Sequence, residues 1–147
     1  MLAKLFYAWS LMAACVAIHA VGLTLALRWL RRSPVMMDGK FLPATLMLIR
    51  VAGWTLILHL LEILLWALFY IWQRCMPDLD SALYFSAVTY TTTGYGDIVL
   101  PPEWRLLGSV EALTGILMCG WSTAFFFAVV SRRKTSLLKP AAGAEKL

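Results

Sequence analysis

Charged residues are scarce in this sequence. Asp, Glu, Lys and Arg together make up 14% of the 147 residues, whereas apolar residues make up 61% and the mean hydropathy is +0.76. A soluble domain is about half apolar and about one-quarter charged, so this chain has too few charges to cover a surface that faces water. The composition therefore argues against a soluble protein and predicts a single domain built for lipid.

Cysteine and histidine are also few, with three and two residues. Cys15 and Cys119 lie inside apolar runs and Cys75 lies at the end of one, so their spacing indicates neither a disulfide framework nor a metal site. The sequence shows no nucleophile–base pair and no metal-ligand cluster either. We therefore predict that the chain is not an enzyme and uses no cofactor.

The charges that are present are grouped, and they give a net charge of +5. Two basic segments each adjoin a long apolar run. They contain Arg28, Arg31, Arg32 and Lys40, and then Arg132, Arg133, Lys134 and Lys139. This is the positive-inside pattern of membrane proteins, and it argues against nucleic acid as a partner. Both segments are expected on the cytoplasmic side.

Three apolar runs are long enough to cross a membrane, at positions 5–27, 51–72 and 106–130, since about 20 residues suffice. A cleaved signal peptide is the alternative for the first run, but there the basic residues follow the apolar run. Trp66, Tyr70 and Trp72 are expected to form an interfacial aromatic belt. With three spans, the N-terminus lies outside and the C-terminus is cytoplasmic, in a multi-pass protein of the cell membrane.

A short helix is predicted between the second and third runs. Asp78 or Asp80 can cap a helix over positions 81–91, which would be about 16 Å long and too short to span. Because both neighbours are spans, we expect this helix to enter the membrane partway and return. Non-helical backbone is tolerated at that depth only when it is buried in protein or lines a water-filled path.

The run Thr-Tyr-Thr-Thr-Thr-Gly-Tyr-Gly-Asp at positions 89–97 resembles the selectivity-filter signature of potassium channels. The order of outer span, half-length helix, filter and inner span also fits, over about positions 46–131. The resemblance implies an all-α membrane protein with three transmembrane helices, a re-entrant pore helix and a filter. One filter segment supplies a quarter of a ligand ring, so a homotetramer is expected.

The same resemblance divides the chain into three parts. Positions 1–43 form an N-terminal transmembrane helix and a basic cytoplasmic linker, 44–131 form the pore domain, and 132–147 form a short basic cytoplasmic tail, expected to be disordered. The first helix is expected to pack outside the pore domain. No span carries arginine at every third position, so we predict no voltage sensor.

The resemblance also implies the ligands for K⁺, the permeant ion. These are the hydroxyl and carbonyl of Thr92 and the carbonyls of Thr93, Gly94 and Tyr95, with Gly96 at the outer mouth. Carbonyl oxygens there replace the hydration shell, and glycine permits the required backbone angles. Thr93 stands where Val or Ile is usual, so a less selective cation channel stays an alternative. A non-conducting subunit that co-assembles with others is another.

Several residues are expected to support the filter. Tyr84 and Phe85 would pack against the side chain of Tyr95. Val88 stands where some bacterial members carry a glutamate that binds the equivalent of Asp97, so we expect that contact to be missing.

The last helix carries further expectations. Gly115 matches the gating hinge of the family, with close packing as an equal alternative, and Gly120 is a second candidate. Ile116, Cys119 and Thr123 would line the cavity. At about 100° per residue, Glu111 falls to the side of that face. It is predicted to point at the short helix and support the filter as a neutral acid, or alternatively to contact the outer helix near Glu62.

His59 and Glu62 lie three residues apart on one helix face. Half of a metal site is one interpretation. Contact with protein partners, including His19 of the first span, is the one we favour.

Overall fold

The computed structural model describes residues 2–32 and 41–138, and every regular element in these ranges is helical. Its helices are α1 (Leu2–Arg32), α2 (Phe41–Trp72), α3 (Leu79–Tyr90) and α4 (Arg105–Leu138), with a 3₁₀ turn at Pro102–Trp104 before α4. Three stretches are long and apolar enough to cross a membrane, namely Leu2–Arg32, Leu42–Trp72 and Pro102–Arg132. The predicted all-α class with three spanning helices is confirmed.

The spanning helices extend further than predicted. α1 continues through Arg32 and α2 already begins at Phe41, because arginine favours helix and Pro43 falls in the first turn, where proline is tolerated. α4 continues to Leu138, so the expectation of a disordered tail is wrong for residues 132–138. Lys40 of the linker and Lys139 of the tail lie outside the described residues.

Asp78 immediately precedes α3; its backbone is extended, and its Oδ1 accepts a hydrogen bond from the Ser81 amide at 2.8 Å. This is an N-cap, and the bonds from Ser81 lower the pKa of the Asp78 carboxyl. α3 has 12 residues and is about 18 Å long, well short of a hydrocarbon core of about 30 Å. It packs instead against both α2 and α4.

α1 packs against α2 and α4. At Gly22, α1 approaches α2 closely, since an added Cβ would overlap the δ carbons of Leu58 of α2. The Gly22 carbonyl also accepts a hydrogen bond from Trp54 Nε1 at 2.9 Å. Small residues at such crossings are typical of helix packing in membranes. α1 is therefore an integral part of the helix bundle.

The prediction of an aromatic belt at the end of α2 is wrong for two of its three residues. Trp66 and Tyr70 are fully buried, whereas Trp72 is exposed. The ring of Tyr70 packs edge-on against Phe85 of α3, with centroids 5.4 Å apart. These large side chains contribute to the protein core rather than to an interface with lipid headgroups.

Candidate functional site

The segment 91–97, directly after α3, has an unusual backbone. All its residues are exposed on the single chain, and φ is positive at Thr92 (59°), Gly94 (53°) and Gly96 (78°). Glycine adopts this conformation freely, whereas threonine rarely does. In a regular strand successive residues point to opposite sides, and a positive φ at every second residue counteracts that alternation. The segment between α3 and α4 is thus neither a helix nor a regular strand.

Hydrogen bonds from the end of α3 hold the start of this segment. The amides of Thr92 and Gly94 donate to the carbonyls of Thr89 and Val88, at 2.9 and 3.0 Å. These bonds continue the end of the helix into the turn, so the position of the segment follows from the position of α3.

The hydroxyl of Thr93 has a partner that the more usual valine could not use. Its Oγ1 lies 3.0 Å from Oγ1 of Thr91, which itself donates to the Ala87 carbonyl at 2.7 Å. The Thr93 side chain is therefore tied back toward α3.

Asp97 is held by Tyr84, whose hydroxyl donates to Oδ2 at 2.7 Å. This bond, assisted by the Ile98 amide on Oδ1 at 3.0 Å, lowers the pKa of the Asp97 carboxyl. The contact of Asp97 with α3 thus comes from Tyr84 and not from position 88, and this contact was missed. Tyr84 lies one helical turn before Val88 on the same face, and its longer side chain reaches the carboxylate. That spacing was the signal available in the sequence.

The two aromatic side chains expected beside Tyr95 have other contacts. Tyr84 binds Asp97, and Phe85 packs on Tyr70. Tyr95 itself is 71% exposed on the single chain. Its packing against aromatic residues stays a prediction.

Glu111 of α4 is fully buried and joins three helices. The Tyr70 hydroxyl of α2 donates to Oε2 at 2.7 Å, and Oε1 forms a short hydrogen bond with the Ser86 hydroxyl of α3. The predicted direction toward the short helix is confirmed, and the alternative contact with the outer helix is present as well. That outer-helix partner is Tyr70, not Glu62.

Gly115 lies where α4 crosses the end of α3. An added Cβ there would overlap the carbonyl oxygen of Tyr90, whereas at Gly120 it would meet no heavy atom within 4 Å. Of the two explanations for Gly115, close packing is the one that the contacts support. The hinge role of either glycine stays a prediction.

The three expected cavity residues share one face of α4. Ile116, Cys119 and Thr123 are all exposed on the single chain, and the Thr123 hydroxyl donates to the Cys119 carbonyl at 2.9 Å. Their place at a cavity stays a prediction.

Glu62 of α2 is the second fully buried carboxylate. His19 Nδ1 lies 2.8 Å from its Oε1, which confirms the predicted partner in the first span. Tyr90 donates a short hydrogen bond to Oε2, and this contact was missed. No local spacing connects positions 62 and 90, so only the packing of α2 against α3 reveals it.

Comparison with known proteins gives one match. A family described as an ion channel has a sequence model that matches residues 42–132, which include α2 except its first residue, α3, the segment 91–97 and most of α4. No curated protein and no solved structure matches the chain. α1 lies entirely outside the matched residues.

Proposed function

Since the chain belongs to this ion-channel family, we propose that it is a potassium-selective subunit that conducts ions passively through a homotetrameric pore. The observation that carries the proposal is the segment 91–97, with its positive φ at alternate residues, between two spans. The chain is a multi-pass integral membrane protein, and its family membership supports transport rather than catalysis.

The exposure of segment 91–97 supports assembly around an axis. Backbone N–H and C=O groups that lack helical hydrogen bonds are costly when they face lipid. At membrane depth they are tolerated only inside protein or beside water. Four copies around one axis would place these segments face to face, so that their oxygens surround a central path. Oxygens of Thr92, Thr93, Gly94 and Tyr95 would then replace the hydration shell of K⁺, with Gly96 at the outer mouth.

Ion flux from liposomes that contain only the purified chain tests this proposal. We expect K⁺ flux to exceed Na⁺ flux strongly. Comparable K⁺ and Na⁺ flux would instead favour the less selective cation channel, and absence of flux would favour a subunit that conducts only with other partners.

Gly94→Ala tests the assignment of the filter. Gly94 has a positive φ that alanine adopts only with strain, so we expect loss of selective K⁺ flux. Gly53→Ala is the matched control, because Gly53 lies in α2 with no atom within 4 Å of an added Cβ. Undiminished selective flux in Gly94→Ala would overturn the assignment.

The basic segments support an orientation with the N-terminus outside and the C-terminus in the cytoplasm. The exposed acids Asp78, Asp97 and Glu103 would then lie outside, where they raise the local cation concentration. Cys75 is buried and is a poor probe of sidedness. In a Cys75→Ser background, we expect an impermeant thiol reagent to label Asp80→Cys from outside and Arg32→Cys only after permeabilisation. The opposite pattern would reverse the orientation.

A further inference from the structure

Five polar side chains, one or two from each helix, form a closed ring of hydrogen bonds behind the segment 91–97. They are His19 of α1, His59 and Glu62 of α2, Tyr90 of α3 and Ser122 of α4. We call this set the polar ring. In it, His19 of α1 contacts α2 and α4 directly and is linked to α3 through Glu62.

The ring can be followed from atom to atom. His19 Nδ1 lies 2.8 Å from Glu62 Oε1, and Glu62 Oε2 accepts from the Tyr90 hydroxyl. The Tyr90 oxygen lies 3.1 Å from His59 Nδ1. His59 Nε2 lies 3.1 Å from Ser122 Oγ, which in turn lies 3.0 Å from His19 Nε2. Every imidazole nitrogen therefore has one partner inside the ring.

Counting hydrogens shows what the ring requires. Each of its five bonds needs one hydrogen. The tyrosine and serine hydroxyls and two neutral imidazoles supply one each, and an ionised carboxylate supplies none. A complete ring therefore needs one additional proton, either on Glu62 or on an imidazole. In both arrangements the net charge of the ring is zero.

Within residues 2–32 and 41–132, no lysine or arginine forms an ion pair with the ring. Glu62 and His19 are fully buried and Tyr90 is 1% exposed. Among the described residues, the salt bridges of Glu62 are with the two histidines and with no lysine or arginine. The other titratable groups that face the ring are the thiols of Cys15 on α1 and Cys119 on α4, and Glu111 lies near Cys15. A charge that is buried without a partner is costly.

We propose that the polar ring is a binding site for one proton, and that this proton determines how firmly the end of α3 is held. Without it, one of the bonds has no hydrogen and the carboxylate charge is uncompensated. A hydrogen bond corresponds to roughly a two- to twelve-fold change in an equilibrium constant. Tyr90 directly precedes the segment 91–97, so loss of the proton would loosen the anchor of that segment.

A divalent metal is the competing occupant. His19, His59 and Glu62 each offer a ligand atom, and these atoms lie within 4.8 Å of one another. A divalent ion with a single carboxylate would leave a net positive charge among apolar helices, however, whereas one proton leaves none. Charge balance therefore favours the proton.

Histidine NMR tests the site directly. The chain has two histidines, both in the ring, so ¹⁵N-histidine labelling of the full chain, without a histidine tag, reports on the ring alone. In the parent protein we expect both imidazoles to change together in a single pH step that releases one proton per chain. Independent titration of the two rings, or no step across the pH range in which the protein is folded, would overturn the proposal.

Glu62→Gln is the decisive variant because it completes the ring permanently. Its amide can donate to His19 and accept from Tyr90, which supplies the missing hydrogen without a titrating group. We expect the step to disappear. If Glu62→Gln shows the same step as the parent protein, the carboxylate is not part of the proton site and the proposal fails.

Ser122→Ala opens the ring, and the remaining bonds can then be formed without an additional proton. We expect the step to move to lower pH or to vanish, whereas Ser109→Ala, an exposed serine on the same helix, leaves it unchanged. An unchanged step in Ser122→Ala would contradict the hydrogen count.

Adding Zn²⁺ alone to the parent protein should not shift the histidine signals. A saturable shift at one ion per chain would assign the site to a metal instead.

The coupling to conduction rests on the proposed function. Selective flux should show the same pH step in the parent protein and none in Glu62→Gln. The NMR step does not depend on conduction, so failure of the channel proposal would leave it in place. Flux that is independent of pH, together with an intact NMR step, would overturn the coupling to α3.

Discussion

The two buried carboxylates have similar burial but different neighbours. Glu62 on α2 and Glu111 on α4 are both fully buried, and both bind α3, at Tyr90 and at Ser86, one helical turn apart. The partners of Glu62 include two imidazoles. The hydrogen-bond partners of Glu111 are the hydroxyls of Ser86 and Tyr70.

The proton count explains why this difference matters. Ser86 Oγ contacts Glu111 and also lies 2.9 Å from the Ile63 carbonyl, yet a hydroxyl has one hydrogen for these two acceptors. A neutral Glu111 that donates to Ser86 supplies the second. The bonded hydroxyls cannot readily take that proton, whereas an imidazole beside Glu62 can. The same residue type thus makes a permanent link at Glu111 and an exchangeable one at Glu62.

The prediction on the Glu62 side concerns Gly115. Gly115→Ala places a methyl group against the backbone carbonyl of Tyr90, which cannot move without moving the polar ring. We expect a loss of stability of about 1–3 kcal/mol or more, measured by thermal unfolding in detergent. Gly120→Ala has open space and should stabilise by about 1 kcal/mol through helix propensity. Equal stability of the two variants would refute the packing role.

On the Glu111 side, valine and glutamine at this position should differ. Glu111→Val leaves the Tyr70 hydroxyl without its acceptor and the Ser86 hydroxyl without its donor, at a cost of about 1–3 kcal/mol for each buried group. Glu111→Gln keeps an acceptor and a donor, as the neutral acid does, and should cost less. Oligomer stability and K⁺/Na⁺ selectivity are the measurements. If Glu111→Val matches the parent protein in both, Glu111 does not support the segment 91–97.

Removing one tyrosine hydroxyl that binds Glu111, and one that binds Glu62, tests the difference between the two carboxylates. Tyr70→Phe removes a donor to Glu111, and Tyr90→Phe removes a donor to Glu62. Each should cost about 1 kcal/mol. For Tyr70→Phe we expect that cost not to change over the pH range of the step detected by histidine NMR, whereas for Tyr90→Phe it should change across that range. Thermal unfolding across this range would refute the comparison if both costs vary alike.

Local patterns in the sequence predicted one part of this arrangement. Apolar length predicted the three spans, the two possible caps Asp78 and Asp80 predicted the start of α3 to within two residues, and helical periodicity predicted the direction of Glu111. Each of these follows from residues that are neighbours along one helix. The alternating φ in segment 91–97 was also expected, because glycine stands at two of the three positions.

The remainder depends on how helices pack against one another. Ser122 and Tyr90 join the polar ring only because four helices bring distant positions together, and no spacing in the sequence records that. Trp66 and Tyr70 suit an interface with lipid headgroups and a protein core equally well. Their burial follows from how the other helices pack around α2, which sequence periodicity does not determine.

The smallest expected effect is at Asp97, an exposed carboxylate that contrasts with both buried ones. The Tyr84 hydroxyl lowers the pKa of Asp97, so this bond contributes fully above the ordinary aspartate value of about 3.9 and is lost as pH falls through the lowered value. Tyr84→Phe should return the pKa toward its ordinary value. The acid-induced loss of selective flux should then begin at a slightly higher external pH, and the shift is small because exposed charges are screened by solvent.

Flux from liposomes at decreasing external pH measures this shift. Asp78→Asn is the control, because it keeps the helix cap and removes a second exposed carboxyl whose pKa is lowered. It should leave the dependence of selective flux on external pH unchanged. Coincident acid profiles for Tyr84→Phe and the parent protein would show that the Tyr84–Asp97 bond does not stabilise the outer end of the segment. In that case the support of segment 91–97 would come from the buried contacts of α3 alone.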